Sequence, residues 1–156
     1  MPRSTPVRQL MTTDVVTFRP DDTVESAARV LTERRLGGGP VVDAEGHVLG
    51  LLEDDDLIVQ DAKLHFPTVI TVLGAYIELP SSQRHFEEDL RKAVGVTVVD
   101  VMDPTAPTCG EDDTLEQVAT VMHENNRSRL PVVRDGKLVG IVSRGDILKA
   151  IVQTGP

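Results

Sequence analysis

Short apolar runs, turn residues and amphipathic stretches alternate along this chain, and their order predicts its elements. In the segment RSRLPVVRDGKLVGIVSRGDIL, Arg127 to Leu148, an apolar run from Leu130 to Val133 stops at Asp135-Gly136. A second run, Leu138 to Val142, follows, and then Ser143 and Asp146 open a helical pattern. Two β-branched runs around an Asp-Gly pair predict a hairpin, because that dipeptide accepts the positive φ angles of a two-residue turn. The polar pair therefore falls where a strand passes into a helix. Backbone N–H groups lack partners at such a junction, and a hydroxyl and a carboxylate three residues apart can converge there on a small polar ligand.

The first half reads in the same terms. Residues 1–6 carry two prolines and no periodicity, which predicts a loose arm. Val7 to Met11 predicts a short helical turn, and Val15 to Phe18 an extended piece. Asp22 is the expected N-cap of a helix, with Glu25 closing a capping box. Val24, Ala27, Ala28, Val30 and Leu31 form one helical face, and Gly37-Gly38-Gly39 is expected to end that helix. Strands are expected at Pro40 to Asp43 and Val48 to Leu52 around an Ala44-Glu45-Gly46 turn, with a helix starting near Asp54. The later half repeats the plan. Val98 to Met102 is a leading helix, Pro107 to Cys109 an extended piece, and Asp113 with Glu116 a second capping box. The helical face is Leu115, Val118, Ala119, Val121 and Met122, broken by Asn125-Asn126, and a terminal helix runs from Asp146 to Val152.

The likeness of the halves extends to identities. Met11, Asp21-Asp22-Thr23, Glu25, Ala28, Val30, Glu33 and Pro40-Val41-Val42 recur at Met102, Asp112-Asp113-Thr114, Glu116, Ala119, Val121, Glu124 and Pro131-Val132-Val133. One extra residue near Ala44 then shifts the register by one, so Gly46, Gly50 and Asp56 fall on Gly136, Gly140 and Asp146. Chance scatters identities over many registers, whereas these hold one register, so the chain is an internal duplication. The division expected is a first unit over 1–61 with its N-terminal arm, an inserted connector over 62–96, and a second unit over 97–156. The stretch from Asp61 to Val96 has no counterpart in the repeat and holds Phe66, Tyr76 and Phe86. It predicts either an elaborated crossover on its own core, with Ser81 or Ser82 capping a helix, or an apolar contact surface.

Composition narrows the function. An apolar fraction of 40% over 156 residues suffices for a core. No charged stretch followed by an apolar core marks a signal peptide, and no apolar run approaches membrane-spanning length. With a single cysteine, Cys109, there is no internal disulfide framework, and a cytoplasmic location is expected. The net charge of −9 speaks against nucleic acid, which requires a basic face.

Asp-Val-Met, Asp-Asp-Thr-Leu at a helix start, Leu-Pro-Val-Val, Gly-Lys-Leu-Val-Gly-Ile-Val-Ser and a following Asp together resemble the cystathionine-β-synthase (CBS) domain. Two copies, over roughly 7–61 and 98–153, resemble the CBS pair or Bateman module. The resemblance implies a mixed α/β (α+β) fold: tandem β-α-β-β-α units packed sheet to sheet with pseudo-two-fold symmetry. It also implies two clefts for adenosine-containing ligands such as AMP, ADP, ATP or S-adenosylmethionine, no obligatory cofactor, a regulatory rather than catalytic role, a homodimer, and transmission of occupancy to a protein partner or through that dimer. Carried over by position, the second cleft would use Thr108, Ser128, Arg129, Leu130, Pro131, Ser143 and Asp146. An ionised aspartate can accept bonds from both ribose hydroxyls, and Arg129 supplies charge for a phosphate.

The corresponding first-cleft residues are Thr17, Gly38, Gly39, Pro40, Glu53 and Asp56, and here the sequence departs from the pattern. Glu53 replaces Ser143 within the run Glu53-Asp54-Asp55-Asp56, and Gly37-Gly38 replaces Ser128-Arg129. An anionic nucleotide should avoid these carboxylates unless a cation such as Mg²⁺ accompanies it. An empty cleft, an uncharged adenosyl group or a metal-assisted nucleotide are the alternatives, the empty cleft being the expectation.

Blander roles exist for each residue. Ser143 and Asp146 can cap the last helix, Arg129 can be a solvated charge, and Cys109 can be a small core residue. Met11, Met102 and Met122 suit core positions. The four histidines lack metal-ligand spacing, and neither a Gly-x-Ser-x-Gly elbow nor a phosphate-binding Gly-x-x-x-x-Gly-Lys loop is present. No metal site is assigned. Two other classes remain as alternatives: an interaction scaffold acting through residues 61–96, and a metal-dependent enzyme centred on the acidic run.

Overall fold

The computed structural model describes residues 2–58 and 96–153. The connector over 62–95, with its three aromatic residues and its expected helix, lies outside the described residues.

Each half builds the same unit. In the first, Thr23 caps helix α1 (Val24–Arg34) through its hydroxyl, which accepts from Ser26 N at 3.1 Å. Ala27 and Leu31 are its buried residues. Strands β1 (Gly38–Val42) and β2 (Val48–Glu53) pair antiparallel, with Gly38 opposite Glu53 and a register shift between Val41 and Val42. Phe18 adds a parallel bridge to Val41, and residues 54–58 begin a helix after β2.

In the second half, helix α2 (Val98–Val101) leads to β3 (Cys109–Gly110), which pairs parallel with β4 (Arg129–Arg134). Helix α3 (Leu115–Glu124) intervenes, burying Leu115, Val118 and Met122. β4 pairs antiparallel with β5 (Lys137–Ser143) across a turn in which Asp135 and Gly136 have φ of 53° and 79°, as the Asp-Gly pair predicts. A register shift between Val132 and Val133 matches that of the first hairpin. Helix α4 (Arg144–Gln153) follows β5 directly.

The expected capping boxes stand corrected. The caps are Thr23 and Thr114, one residue later than Asp22 and Asp113, and in the second half the reciprocal partner is Gln117 rather than Glu116. Both aspartates instead turn back on the preceding chain: Asp22 Oδ2 accepts from Arg19 N and Asp113 Oδ2 from Gly110 N, each at 2.8 Å. Their main-chain carbonyls are committed elsewhere, to Val98 N and Val7 N respectively, also at 2.8 Å. The triple glycine does not end α1 either. Arg35, at φ 55°, ends it, and Gly38 and Gly39 are already in β1.

Those two carbonyl bonds reveal how the halves are joined. Val7, at the head of the first repeat, is fully buried in the core of the second, with Leu115, Val118, Leu130, Val132 and Val142. Val98, its counterpart, is fully buried in the core of the first, with Phe18, Leu31, Val41 and Leu52. The exchange continues along both leading segments. Thr12 bridges Ile141 while Asp103 bridges Leu51, each through two N–H to O bonds of 2.9–3.1 Å. Where the hairpin turns meet, His47 bridges its own repeat equivalent, Lys137, so a pseudo-two-fold axis passes between them. Two mixed α/β units thus exchange their leading segments across a local dyad.

Candidate functional site

The junction of β5 and α4 is closed by two reciprocal bonds. Ser143 N donates to Asp146 Oδ2 at 2.8 Å, and Asp146 N donates to Ser143 Oγ at 3.2 Å. Both the capping role and a polar ligand-facing role use this geometry, because the cap engages one oxygen of a carboxylate that has two. Arg144 N donates to Ser128 O at 2.8 Å, which brings Ser128 beside the pair. Ser128, Ser143 and Asp146 are all half-buried, and Leu130 and Pro131 are buried behind them. Thr108 is exposed and precedes β3, level with Pro131 through the Cys109–Val132 pairing.

The first repeat keeps the same frame with different side chains. Glu53 N donates to Asp56 Oδ2 at 2.9 Å, and Asp54 N donates to Gly37 O at 2.9 Å. Gly38, Gly39 and Pro40 are buried, and Thr17 is exposed. Burial raises the Asp56 carboxyl above its ordinary value; the Glu53 N–H and Arg127 oppose the rise, while the charges of Asp103 and Asp55 add to it.

Arg129 faces this first repeat. Its guanidinium lies against Gly37 and Gly38 and 3.9 Å from Glu53 Oε2. Positions 38 and 129 are repeat equivalents, so a side chain on one crosses toward the bare backbone of the other. The arginine absent at position 38 is thereby replaced by one reaching in from the second repeat.

Sequence comparison missed two members of the site. Arg127, only 22% exposed at its side chain, reaches Glu53 Oε1 at 3.6 Å and pairs with Asp103. Hydrogen bonds from Thr105, together with Arg127, hold the Asp103 carboxyl below its ordinary value against its burial. The signal lay in repeat differences: Arg127 and Asp103 stand where the first copy has Leu36 and Thr12, so charge appears only in one copy.

Other candidates resolve simply. Cys109 is 4% exposed and its thiol is pushed up to about 12, first by burial and then by the charge of Asp113, as befits a core residue. Among the described residues the group of potential metal ligands whose donor atoms come within 4.8 Å is Asp43, Glu45 and His47, not the run 53–56. A groove of about 230 Å³ between α3 and α4 is lined by Met122, His123, Arg127, Arg144 and Ile147, among others, and includes neither Ser143 nor Asp146. No described helix is long and apolar enough to cross a membrane.

Comparison with known proteins accords with this geometry. The CBS domain model matches residues 7–62 and 98–153. An uncharacterised protein of Methanocaldococcus jannaschii is 28% identical over 153 residues, covering 94% of this chain and 90% of its own. The chloroplastic CBS domain-containing protein CBSX1 of Arabidopsis thaliana is 35% identical over 144 residues, covering 90% of this chain. The chain spans 60% of that relative's length. The crystal structure of CBSX2 in complex with AMP superposes with a TM-score of 0.72 at 28% identity, over 95% of this chain and 96% of the other. The duplicated hairpins, the paired polar residues at the strand–helix junctions and the double family match lead to one conclusion: the chain belongs to the CBS domain family.

Proposed function

We propose that this protein is a regulatory module that binds an adenosine-containing metabolite, AMP, ADP, ATP or S-adenosylmethionine, and passes its occupancy to a partner protein or through its own dimer. Its repeats are residues 1–61 and 97–156, joined by the connector 62–96, and its location is cytoplasmic. The observation that carries the reading is the Ser143–Asp146 pair, held rigid by its own reciprocal bonds beside Ser128. A carboxylate fixed in this way meets a ribose diol with little loss of side-chain freedom, each charge-assisted bond contributing roughly 1.5–3 kcal/mol. CBSX2, which binds AMP, supports the ligand class.

Ligand affects a partner only if it binds one arrangement of the halves better than another. Because each leading segment is built into the opposite core, a shift of one hairpin moves both. Leu148, Ile151 and Val152, all at least half exposed on α4, offer the apolar face for a second copy; light scattering at monomer mass removes that part of the reading.

Asp146→Ala is expected to abolish AMP binding at the second cleft, measured by calorimetry. Losing the cap also costs about 1 kcal/mol of stability. Asp146→Asn, which can still accept from Ser143 N, keeps that stability and still loses most of the affinity. Wild-type affinity in either variant overturns the assignment. The scaffold alternative predicts instead no thermal shift with any adenosyl ligand.

A further inference from the structure

Glu53 stands in the first repeat where Ser143 stands in the second, at the end of a hairpin strand and one residue before a helix. Its side chain is 19% exposed and lies between two guanidiniums of the other repeat, with Oε1 3.6 Å from Arg127 Nη1 and Oε2 3.9 Å from Arg129 Nη1. Both separations exceed hydrogen-bond length. Oε1 is buried and has no hydrogen-bond partner among the described residues. Charge holds this carboxylate in place, without directional bonds to either arginine.

The surroundings are arranged for an anion. The second terminal nitrogen of Arg127 is anchored by Asp103, whose other oxygen accepts from Thr105 N and Oγ1 at 2.9 and 2.7 Å. The Arg129 guanidinium lies against the bare backbone of Gly37 and Gly38. A Cβ at Gly37 would lie 2.6 Å from Arg129 Nη2, and one at Gly38 would lie 2.8 Å from Nη1. Two guanidiniums with free donor capacity, that of Arg127 anchored by Asp103, form a phosphate cradle, and Glu53 sits in it. With Asp56 and Asp103 close by, the cluster has more carboxylates than guanidiniums, so a further anion entering beside Glu53 meets net repulsion.

We propose that Glu53 is a built-in anion that fills the phosphate position of the first cleft and restricts this cleft to adenosyl ligands without phosphate. The inference rests on the adenosyl-binding reading given above. Ser143, at the equivalent position on the same strand–helix frame, shows that a neutral side chain is compatible with that frame. Removing the carboxylate frees Arg127 and Arg129 for an incoming phosphate.

Calorimetry on the full chain with AMP and adenosine tests this, in an Asp146→Ala background that silences the second cleft. In that background adenosine is expected to bind at least tenfold more tightly than AMP. Adding Glu53→Ser is expected to raise AMP affinity at least tenfold while changing that of adenosine less than twofold. Further substitution of Arg129→Met is expected to remove the gain, and Glu53→Gln serves as a second neutral variant should the serine lower the melting temperature. An AMP-to-adenosine ratio unaffected by both Glu53 variants, or no binding of AMP to either, overturns the inference. Wild-type AMP affinity in Asp146→Ala alone counts instead against the second-cleft assignment, because that comparison leaves Glu53 untouched.

Discussion

Arg35 and Asn126 occupy equivalent places after α1 and α3, with φ of 55° and 53°. The left-handed conformation costs a residue with a bulky side chain roughly 1–2 kcal/mol, and asparagine less. Arg35 accepts that cost because its N–H reaches the carbonyls of Leu31 and Thr32. Copying the second repeat, Arg35→Asn is therefore expected to stabilise the protein by about 0.5 kcal/mol, read as a higher urea midpoint; a lower midpoint contradicts this account. A run of three glycines announces a helix stop in the sequence, yet here close approach uses them: a Cβ on Gly38 would lie 2.5 Å from Leu52 O, and one on Gly39 2.8 Å from Val16 O. Likewise Asp-Asp-Thr offers three capping residues in a row, and sequence cannot say which carbonyl a distant segment will claim. The swap of Val7 and Val98 decided it in favour of threonine. The Ser143–Asp146 capping pair was legible because its bonds are local, whereas the Arg127–Glu53 contact depends on how the halves face one another.

Among the elements, the hairpins were the most legible, since alternation, turn chemistry and β-branching all act within about fifteen residues. Their bulges were not, although both fall at the same place in the repeat. Beside each bulge a glycine admits the leading segment of the other half. A Cβ on Gly50 would lie 2.7 Å from Asp103 O and 3.0 Å from Met102 Sδ. One on Gly140 would lie 2.5 Å from Met11 Sδ and 2.9 Å from Thr12 O. The backbone oxygens belong to the bridges Leu51–Asp103 and Thr12–Ile141 and cannot retreat without breaking them. Gly50→Ala and Gly140→Ala are each expected to cost about 1–3 kcal/mol in denaturant unfolding. Gly50→Ala should cost more, because its nearest obstacle is backbone while that of Gly140 is the flexible end of Met11. Wild-type stability in Gly50→Ala would mean that the bridge is not needed.

At the scale of the whole molecule, the duplication was legible but the exchange was not: a repeat in sequence does not tell which copy of a segment packs in which core. The dyad between His47 and Lys137 allows either choice for residues 7–12 and 98–103, and the observed one stitches each half to the other through a fully buried valine. This gives a crosswise prediction. Val7→Ala removes apolar volume from the core of Leu130, Val132 and Val142, at a cost of about 2 kcal/mol. Amide exchange in β4 and β5 should therefore accelerate more than in β1 and β2, although the substitution lies in the first repeat. Val98→Ala should do the reverse, loosening Val41 and Leu52 first. Greater loss of protection in the hairpin of the substituted repeat, in either variant, contradicts the exchange. It would also remove the link through which the proposed binding in one cleft would act on the other, since that link consists of a leading segment folded into the core of its neighbour.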